Sequence, residues 1–300
     1  MQSNTAVCLT GSVRTLALDC VGPSMLRRIA RPLNADLFAF VNVPIEWSFV
    51  QANRIATFIR EMASVASVRL RMLEVDNESP NSPWPGVAQA RGLLRCWETA
   101  GVIEHYYWVV RVRTDVYHGF AMPPKGLPQR GLTEEDARVH VGFLGKSGCA
   151  RSMGRVAARA RWVDDRFAVL GGKWAQRLYL HDFAKRLQSE RANQSPSRAA
   201  HSGSAAHAPE CLLGRVFDEA NREFPVYLHD VRSDISLLVP SATTLWSTTA
   251  GWGATDIRDQ QPKRACDHAN AIVIRSNCSA ETRAAHWTCP PDESPPVLVF

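Results

Sequence analysis

The sequence predicts an α/β protein built on a mainly parallel β-sheet whose two faces are covered by helices. Apolar runs of strand length alternate with segments of helical spacing over residues 6–117. This alternation is typical of parallel βαβ units, because two parallel strands need a crossover connection between them. Several of the runs are apolar on both faces, as expected of strands that lie between two layers of helices. The 300 residues are enough to bury such a core.

Seven segments in this first part of the chain justify the prediction. Their patterns predict strand, helix, strand, helix, strand, helix and strand, in that order. The segments are TAVCLTG (5–11), SMLRRIARPL (24–33), ADLFAFVNV (35–43), EWSFVQANRIATFIREMASV (46–65), VRLRMLEV (68–75), GVAQARGLLRCWETAGVIEHY (86–106) and YYWVVRVRTDVYH (106–118). We expect Val7–Leu9, Leu37–Phe40 and Val109–Val112 to form neighbouring interior strands.

The pattern changes after residue 118, where a long Pro- and Gly-rich connection follows. Asp164 and Asp165 come immediately before one of the later apolar runs. The remaining predicted elements are a strand at 138–145, a strand after the two aspartates, helices at 173–188 and 210–224, and a strand or strand pair at 226–239.

Composition divides the chain into one domain and a tail. Residues 1–240 carry the predicted elements and are expected to form a single domain. Within it, 189–208 is a low-complexity segment and is predicted to be a mobile loop. Residues 241–300 are rich in Ser, Thr, Gly, Asp and Pro, and we expect an irregular C-terminal extension there.

Charge and hydropathy narrow the possible partners. The formal net charge of +6 favours anionic ligands. Because no nucleic-acid-binding motif accompanies the basic residues, we expect a phosphate-bearing small molecule rather than nucleic acid. No apolar run approaches the roughly 18–20 residues of a membrane span, so no transmembrane segment is expected. The N-terminus lacks the pattern of a signal peptide. The compartment stays open: cytoplasm, or a secretory lumen if a signal or anchor has been removed.

Charged residues end the fourth predicted strand, where Arg113, Thr114 and Asp115 follow an apolar run. Ligands of open α/β sheets bind outside the carboxyl ends of the strands, so this tripeptide falls where the fold places its chemistry. A carboxylate such as Asp115 can coordinate Mg²⁺ or Mn²⁺ bridging two phosphates. The alternative is a turn aspartate that caps nearby backbone amides.

Four quoted segments occur in an order that resembles a known group of proteins. AVCLTGSVRT, ADLFAFVNV, YYWVVRVRTDV and VDDRFAVLGG are similar to elements of glycosyltransferase-like proteins from algae, fungi and bacteria. Those proteins carry a Gly-x-x-Arg element, an Arg-x-Asp element and an Asp-Gln-Phe-like element. They look like members of the GT-A class of nucleotide-sugar transferases. The resemblance covers about residues 6–240 and implies a GT-A-like, Rossmann-like sheet.

The resemblance also implies roles for the strand-end residues. In the GT-A class a DxD motif holds the metal, and here Arg113 stands in the place of the first aspartate. Asp115 would then bind Mn²⁺ or Mg²⁺, while Arg113 would face the diphosphate or pair with Asp115. Many such enzymes add a late histidine or aspartate to the metal shell, which points to His229. The alternative for His229 is a hydrogen-bonded structural histidine.

Four further residues are candidate contacts for the donor. Gly11 would let the backbone approach a ligand, and Arg14 would reach a phosphate. The alternative for this pair is a simple strand-to-helix turn with a surface arginine. Gln89 and Arg95 lie in a helical segment that the resembled proteins share, which implies nucleotide or sugar contacts. The alternative for them is an ordinary helix surface.

Asp164 and Asp165 are the candidate catalytic carboxylates. An inverting transferase needs a base to take the proton of the acceptor hydroxyl, and the comparison with the Asp-Gln-Phe element favours Asp165. In a retaining mechanism Asp165 would instead position the acceptor. The alternative is a pair of capping or salt-bridged aspartates beside Arg161 and Arg166.

The expected function is transfer of a sugar from a nucleotide-diphosphate donor to an unidentified acceptor. One alternative is a non-catalytic protein that keeps the fold and binds a sugar nucleotide or glycan. Another is a nucleotidyltransferase. Neither a phosphate-binding P-loop nor a Ser-His-Asp pattern supports a wholly different chemistry.

Overall fold

A computed structural model describes the parts of the chain that contain most of the predicted elements. The described residues are 3–13, 16, 21–43, 48–77, 85–104, 106–114, 116–118, 122, 127, 137–145, 162–192, 209–220, 226–230 and 245–247. No helix within these ranges is both long enough and apolar enough to cross a membrane.

Strands and helices alternate through the first half of the described chain. The strands are β1 Thr5–Ser12, β2 Asp36–Val43, β3 Leu70–Asn77, β4 Trp108–Arg113, β5 Val116–His118, β6 Ala137–Gly145, β7 Trp162–Gly171, β8 Val226–Asp230 and β9 Leu245–Ser247. The helices are α1 Val21–Met25, α2 Phe49–Val65, α3 Pro85–Cys96, α4 Gly172–Gln176, α5 Phe183–Ala192 and α6 Pro209–Ala220. Helices α1, α3 and α4 continue as π-helical turns over Leu26–Ala30, Trp97–Ile103 and Arg177–Asp182.

Seven strands form one sheet in the order β3-β2-β1-β4-β7-β6-β8. The pairs β3/β2, β2/β1, β1/β4 and β6/β8 are parallel, whereas β7 is antiparallel to both β4 and β6. Six strands therefore run in one direction and β7 runs against them. The predicted α/β fold with a mainly parallel, Rossmann-like sheet is confirmed, as is the neighbouring placement of β2, β1 and β4.

Two apolar cores cover the two faces of the sheet. One face packs against α1, α2 and the turns that follow them, with Leu9, Ile59 and Val110 in this core. The other packs against α3, α4, α5 and α6, with Val109 and Phe217 in its core. Because alternate strand residues point to opposite faces, strands such as β1 are buried on both sides and read as continuous apolar runs.

Helix α3 lies very close to the sheet at Gly92. A Cβ atom at this position would come within 3.2 Å of the Thr10 Cβ and 3.4 Å of the Phe40 carbonyl oxygen. The side-chain amide of Asn42 also donates a hydrogen bond to the Ala88 carbonyl, at 3.3 Å. These contacts fix the first turns of α3 above the ends of β1 and β2.

The structure corrects several details of the predicted elements. Asp164 and Asp165 lie inside β7 rather than before it, and the strand expected at 226–239 is described only as β8. The tail contributes β9, which pairs antiparallel with β5, although no element was predicted there. The segment 189–208 lies mostly outside the described residues, and its first residues belong to α5.

Cys8 and Cys96 are joined in a disulfide, with their Cα atoms 6.1 Å apart. Cysteines that stand alone in a sequence are more often buried small hydrophobic residues than disulfide partners. Both side chains are indeed buried, but 88 residues separate them along the chain, so their pairing cannot be deduced from spacing alone. The bond connects β1 to the end of α3.

A buried carboxylate, Asp36, is held at the start of β2. Arg69 donates two hydrogen bonds of 2.6 Å to its two oxygens, and the Tyr106 hydroxyl donates another to Oδ2. Burial, followed by this hydrogen bond, raises the pKa of Tyr106 above its ordinary value. The network lies at the amino end of the parallel strands, opposite the edge where ligands of such sheets bind.

Tyr106→Phe is expected to lower the free energy of unfolding by about 1.5–3 kcal/mol at neutral pH, because one buried hydrogen bond to a carboxylate is lost. A tyrosine whose pKa is raised on folding contributes stability that is complete below the pKa of the unfolded chain, about 10. That contribution is lost as the pH rises toward the folded-state pKa. The two proteins should therefore differ less above about pH 10 than at pH 7. Urea unfolding at both pH values tests this, and an equal difference at both would contradict it.

Candidate functional site

The candidate site lies at the edge of the sheet where the parallel strands end. Arg113, the last residue of β4, is aligned with Thr10 near the end of β1. Because β7 runs the opposite way, its beginning reaches the same edge, and Val112 of β4 is aligned with Phe167 of β7. The start of β7, which contains Asp164 and Asp165, is thus the part of this strand at the candidate site.

Asp165 is the centre of this site. Its side chain is fully buried. The side-chain amide of Gln89 donates a 2.7 Å hydrogen bond to Oδ2, and Arg113 Nη1 lies 3.4 Å from Oδ1. Three predicted site residues, from α3, β4 and β7, therefore meet at one carboxylate.

The backbone of β7 is irregular where it carries Asp165. The pairing of β6 with β7 shifts register between Val141 and Phe143. Phe167 packs in the core on the α1/α2 side of the sheet, yet Asp165, two residues earlier, faces Gln89 on the α3 side. In a regular strand both side chains would share one face, so the irregularity re-aims the carboxylate. The Tyr179 hydroxyl donates a 3.0 Å hydrogen bond to the backbone carbonyl of Asp165.

Arg113 and Asp165 differ in exposure. The Arg113 side chain is 20% exposed, whereas that of Asp165 is 0% exposed. Arg113 is therefore the solvent-accessible member of the pair, at the edge of the sheet. An arginine can use its remaining N–H groups, or exchange partners, to bind a phosphate or carboxylate.

Gly11 serves the packing of this edge. Its φ of +131° belongs to a region that L side chains rarely adopt, and a Cβ here would lie 2.9 Å from Thr114 Oγ1. The Thr114 hydroxyl in turn donates a hydrogen bond to the Ser12 carbonyl. The contact in the structure is therefore between β1 and the residue after β4. The ligand contact predicted for Gly11 stays a prediction.

Arg95 lies away from Asp165, although it shares α3 with Gln89. It forms ion pairs with Glu74 of β3 and with Glu98. The hydrogen bonds that it donates to Glu74 and, with a smaller effect, to Glu98 raise the pKa of its guanidinium. The structure brings Gln89, but not Arg95, to the carboxylate.

The other predicted residues lie outside the described residues or elsewhere along the described strands. Arg14 and Asp115 lie outside the described residues. Asp164 is placed in β7. His229 is in β8, aligned with His140 of β6, which places it three strands from β4. Within the described ranges, no three His, Cys, Asp or Glu residues gather as a metal-binding set.

Sequence reasoning missed three residues around the site. Tyr179 holds the backbone of Asp165, and its position in a helix gives no signal of that contact. Thr10 is fully buried beside Arg113 in the register. Arg111 is a basic residue in the middle of a buried apolar strand, and this pattern in WVVRVR was the available signal.

No family model matches this chain, and no curated protein matches it. Among solved structures, the chain is similar to the crystal structure of the glycosyltransferase GlyE of Streptococcus pneumoniae TIGR4, at 12% sequence identity and a TM-score of 0.35. The match covers 87% of this chain and 51% of that one, so the chain spans about half the length of that protein. The fold described above rests on the strand order and pairing of the chain itself.

Proposed function

We propose that the protein is a glycosyltransferase that moves a sugar from a nucleotide-diphosphate donor to a hydroxyl group of an acceptor. The observation that carries the proposal is the meeting of Gln89, Arg113 and Asp165 at the carboxyl edge of a mainly parallel sheet. This edge is where open α/β sheets bind their ligands. A guanidinium above a buried carboxylate supplies the two charges that sugar transfer needs.

Arg113 is the residue that binds the donor diphosphate in this proposal. The guanidinium sits at the end of β4 and is partly exposed. Its planar N–H groups match two phosphate oxygens at once. Negative charge grows on the diphosphate as the bond to the anomeric carbon breaks. A fixed cation at that position stabilises the transition state more than the ground state.

Asp165 is the base that takes the proton of the acceptor hydroxyl. In the structure Arg113 covers Oδ1, so binding of the diphosphate by Arg113 would uncover the carboxylate. The acceptor oxygen then forms a bond to the anomeric carbon, its proton passes to Asp165, and the nucleoside diphosphate leaves with the electron pair. Gln89 would keep Oδ2 oriented during this step. Donor binding before acceptor binding follows from this order.

A divalent cation would supply additional charge neutralisation for the leaving diphosphate. Asp165 already accepts hydrogen bonds from Gln89 and Arg113. Within the described ranges no metal-binding set of three residues is present. Dependence on Mn²⁺ or Mg²⁺ remains a prediction that rests on Asp115 and His229. No step above depends on it.

A thermal-shift screen tests the proposal. UDP-sugars and GDP-sugars carry a diphosphate, whereas CMP-sugars carry a single phosphate and are the matched control. We expect one diphosphate sugar to raise the melting temperature, measured with Mn²⁺ and with chelator. Release of its nucleoside diphosphate on incubation would separate an enzyme from a binding protein. If no diphosphate sugar raises the melting temperature more than the CMP-sugars do, the proposal is wrong.

A further inference from the structure

Arg111 is a buried cation in the middle of β4. Its side chain is fully buried, and its Nε, Nη1 and Nη2 atoms have no hydrogen-bond partner among the described residues. An arginine keeps its charge in a protein. A buried charge is strongly destabilising unless an opposite charge compensates it. The arrangement therefore requires a counter-charge near this strand.

Two described carboxylates are candidate counter-charges. Among the side chains whose burial the structure describes, the buried acidic ones are Asp36 and Asp165. Asp36 is at the amino end of β2, two strands from β4 in the sheet, where it is held by Arg69 and Tyr106. Asp165 is on the strand next to β4, toward the carboxyl edge. The structure therefore favours Asp165 as the counter-charge of Arg111.

The strand register and the side-chain directions place Arg111 and Asp165 on the same face of the sheet. Arg111 is aligned with Cys8 of β1 and Ala168 of β7, and both neighbours belong to the core on the α3 side. Asp165 faces the same side through Gln89. Asp165 precedes Ala168 by three residues, so the Cα atoms of Arg111 and Asp165 lie at most about 10 Å apart along the strands and about one strand spacing across. Charges at such separations interact appreciably in a low-dielectric interior.

We propose that Arg111 is the buried counter-charge of Asp165, and that it allows Arg113 to leave Asp165 and bind an anionic ligand. The first half of this proposal, that Arg111 is the counter-charge of Asp165, depends only on the fold. The second half, that Arg111 allows Arg113 to bind an anionic ligand, rests on the function proposed above. When Arg113 turns to a diphosphate, Asp165 loses a direct partner while buried. Arg111 then remains as the opposite charge, so the exchange does not leave an isolated carboxylate in the core.

A second-site rescue experiment tests the first half. Asp165→Asn removes the carboxylate and leaves Arg111 without its counter-charge, so we expect a lower urea midpoint of unfolding. Arg111→Met removes the guanidinium and keeps an unbranched apolar side chain. In the Asp165→Asn background it should raise the midpoint. The matched control is Asp36→Asn, a buried carboxylate with its own arginine, in whose background Arg111→Met should give no increase.

Every outcome of this double-mutant cycle bears on the charge pairing of Arg111 with Asp165. If Arg111→Met changes the midpoint by the same amount in the wild-type and Asp165→Asn backgrounds, the two charges are not coupled and the proposal is wrong. If Asp165→Asn does not fold on its own, the readout is whether the double variant folds. A double variant that stays unfolded also overturns the proposal.

Calorimetric titration with inorganic pyrophosphate tests the second half. Arg111→Met should weaken pyrophosphate binding by about tenfold, within the range of coupling between sites in proteins, because Arg113 is then retained by Asp165. Arg111→Lys keeps the charge and should lose less affinity. Equal affinity of wild type and Arg111→Met would end the second half. Absence of pyrophosphate binding by the wild type would remove both the second half and the proposed function, with the first half still decided by the unfolding cycle.

Discussion

Arg113→Ala is expected to weaken binding of the nucleotide-diphosphate donor by about 10²-fold. Hydrogen bonds to charged groups contribute about 1.5–3 kcal/mol each, and about 1.4 kcal/mol corresponds to a factor of ten. A guanidinium that makes two such bonds to the diphosphate therefore supplies a loss of this size. The fold should tolerate the change better than the ligand does, because the side chain is partly exposed at the end of β4. Calorimetric titration of the donor measures the effect.

Two control variants make this measurement specific. Arg113→Lys keeps the charge but loses the two-pronged geometry, so its affinity should lie between those of the wild type and the alanine variant. Arg91→Ala removes an exposed guanidinium from α3 and should leave the affinity unchanged. Equal donor affinity of Arg113→Ala and Arg91→Ala would remove Arg113 from the donor site.

Asp165→Asn is expected to lower turnover by about 10²–10⁴-fold, the usual contribution of general-base catalysis. Donor affinity should stay the same or increase, because an amide holds Arg113 less strongly than a carboxylate does. This division between turnover and binding distinguishes a base from a residue that only supports the fold. Steady-state rates and donor titrations, both at a temperature where circular dichroism shows the variant folded, provide the test.

Gln89→Ala is the companion variant to Asp165→Asn. It removes one hydrogen bond to Oδ2 but leaves the base in place, so its turnover should fall much less. Near-normal turnover of a fully folded Asp165→Asn protein would exclude the proposed base. Equal losses in both variants would indicate that orientation of the strand, rather than proton transfer, limits the reaction.

The centre of the fold could be predicted from the sequence because its strands are apolar on both faces. That pattern has few structural explanations, and β2, β1 and β4 are neighbours as expected. The reversed direction of β7 could not be predicted in the same way. Parallel strands need a crossover helix that leaves a periodic pattern in the sequence, whereas antiparallel strands can be joined by connections of any kind. The segment before β7 carries no such pattern.

The residue types of the candidate site could be predicted from the sequence, but the contacts between the residues could not. Arg113 is indicated by its place at the end of an apolar run, and Asp165 by the resemblance of its segment to an Asp-Gln-Phe element. Their separation of 52 residues hides their proximity. Gln89 was predicted to contact the nucleotide or sugar, which stays a prediction, whereas its hydrogen bond to Asp165 was not foreseen. A register shift in β7 turns that carboxylate toward α3. Such a shift depends on the neighbouring strand, so local sequence patterns do not reveal it.

The antiparallel strand β7 also determines at which stage of folding the site is completed. Its carboxylate meets Gln89 across 76 residues and Arg113 across 52. Gln89 and Arg113 lie in α3 and β4 and are closer together along the chain than either is to Asp165. Asp165 arrives only when β7 docks antiparallel beside β4, after the entropy of a long loop closure has been overcome. A nascent or cleaved chain that ends before β7 would therefore hold the arginine and the amide without the acid that organises them.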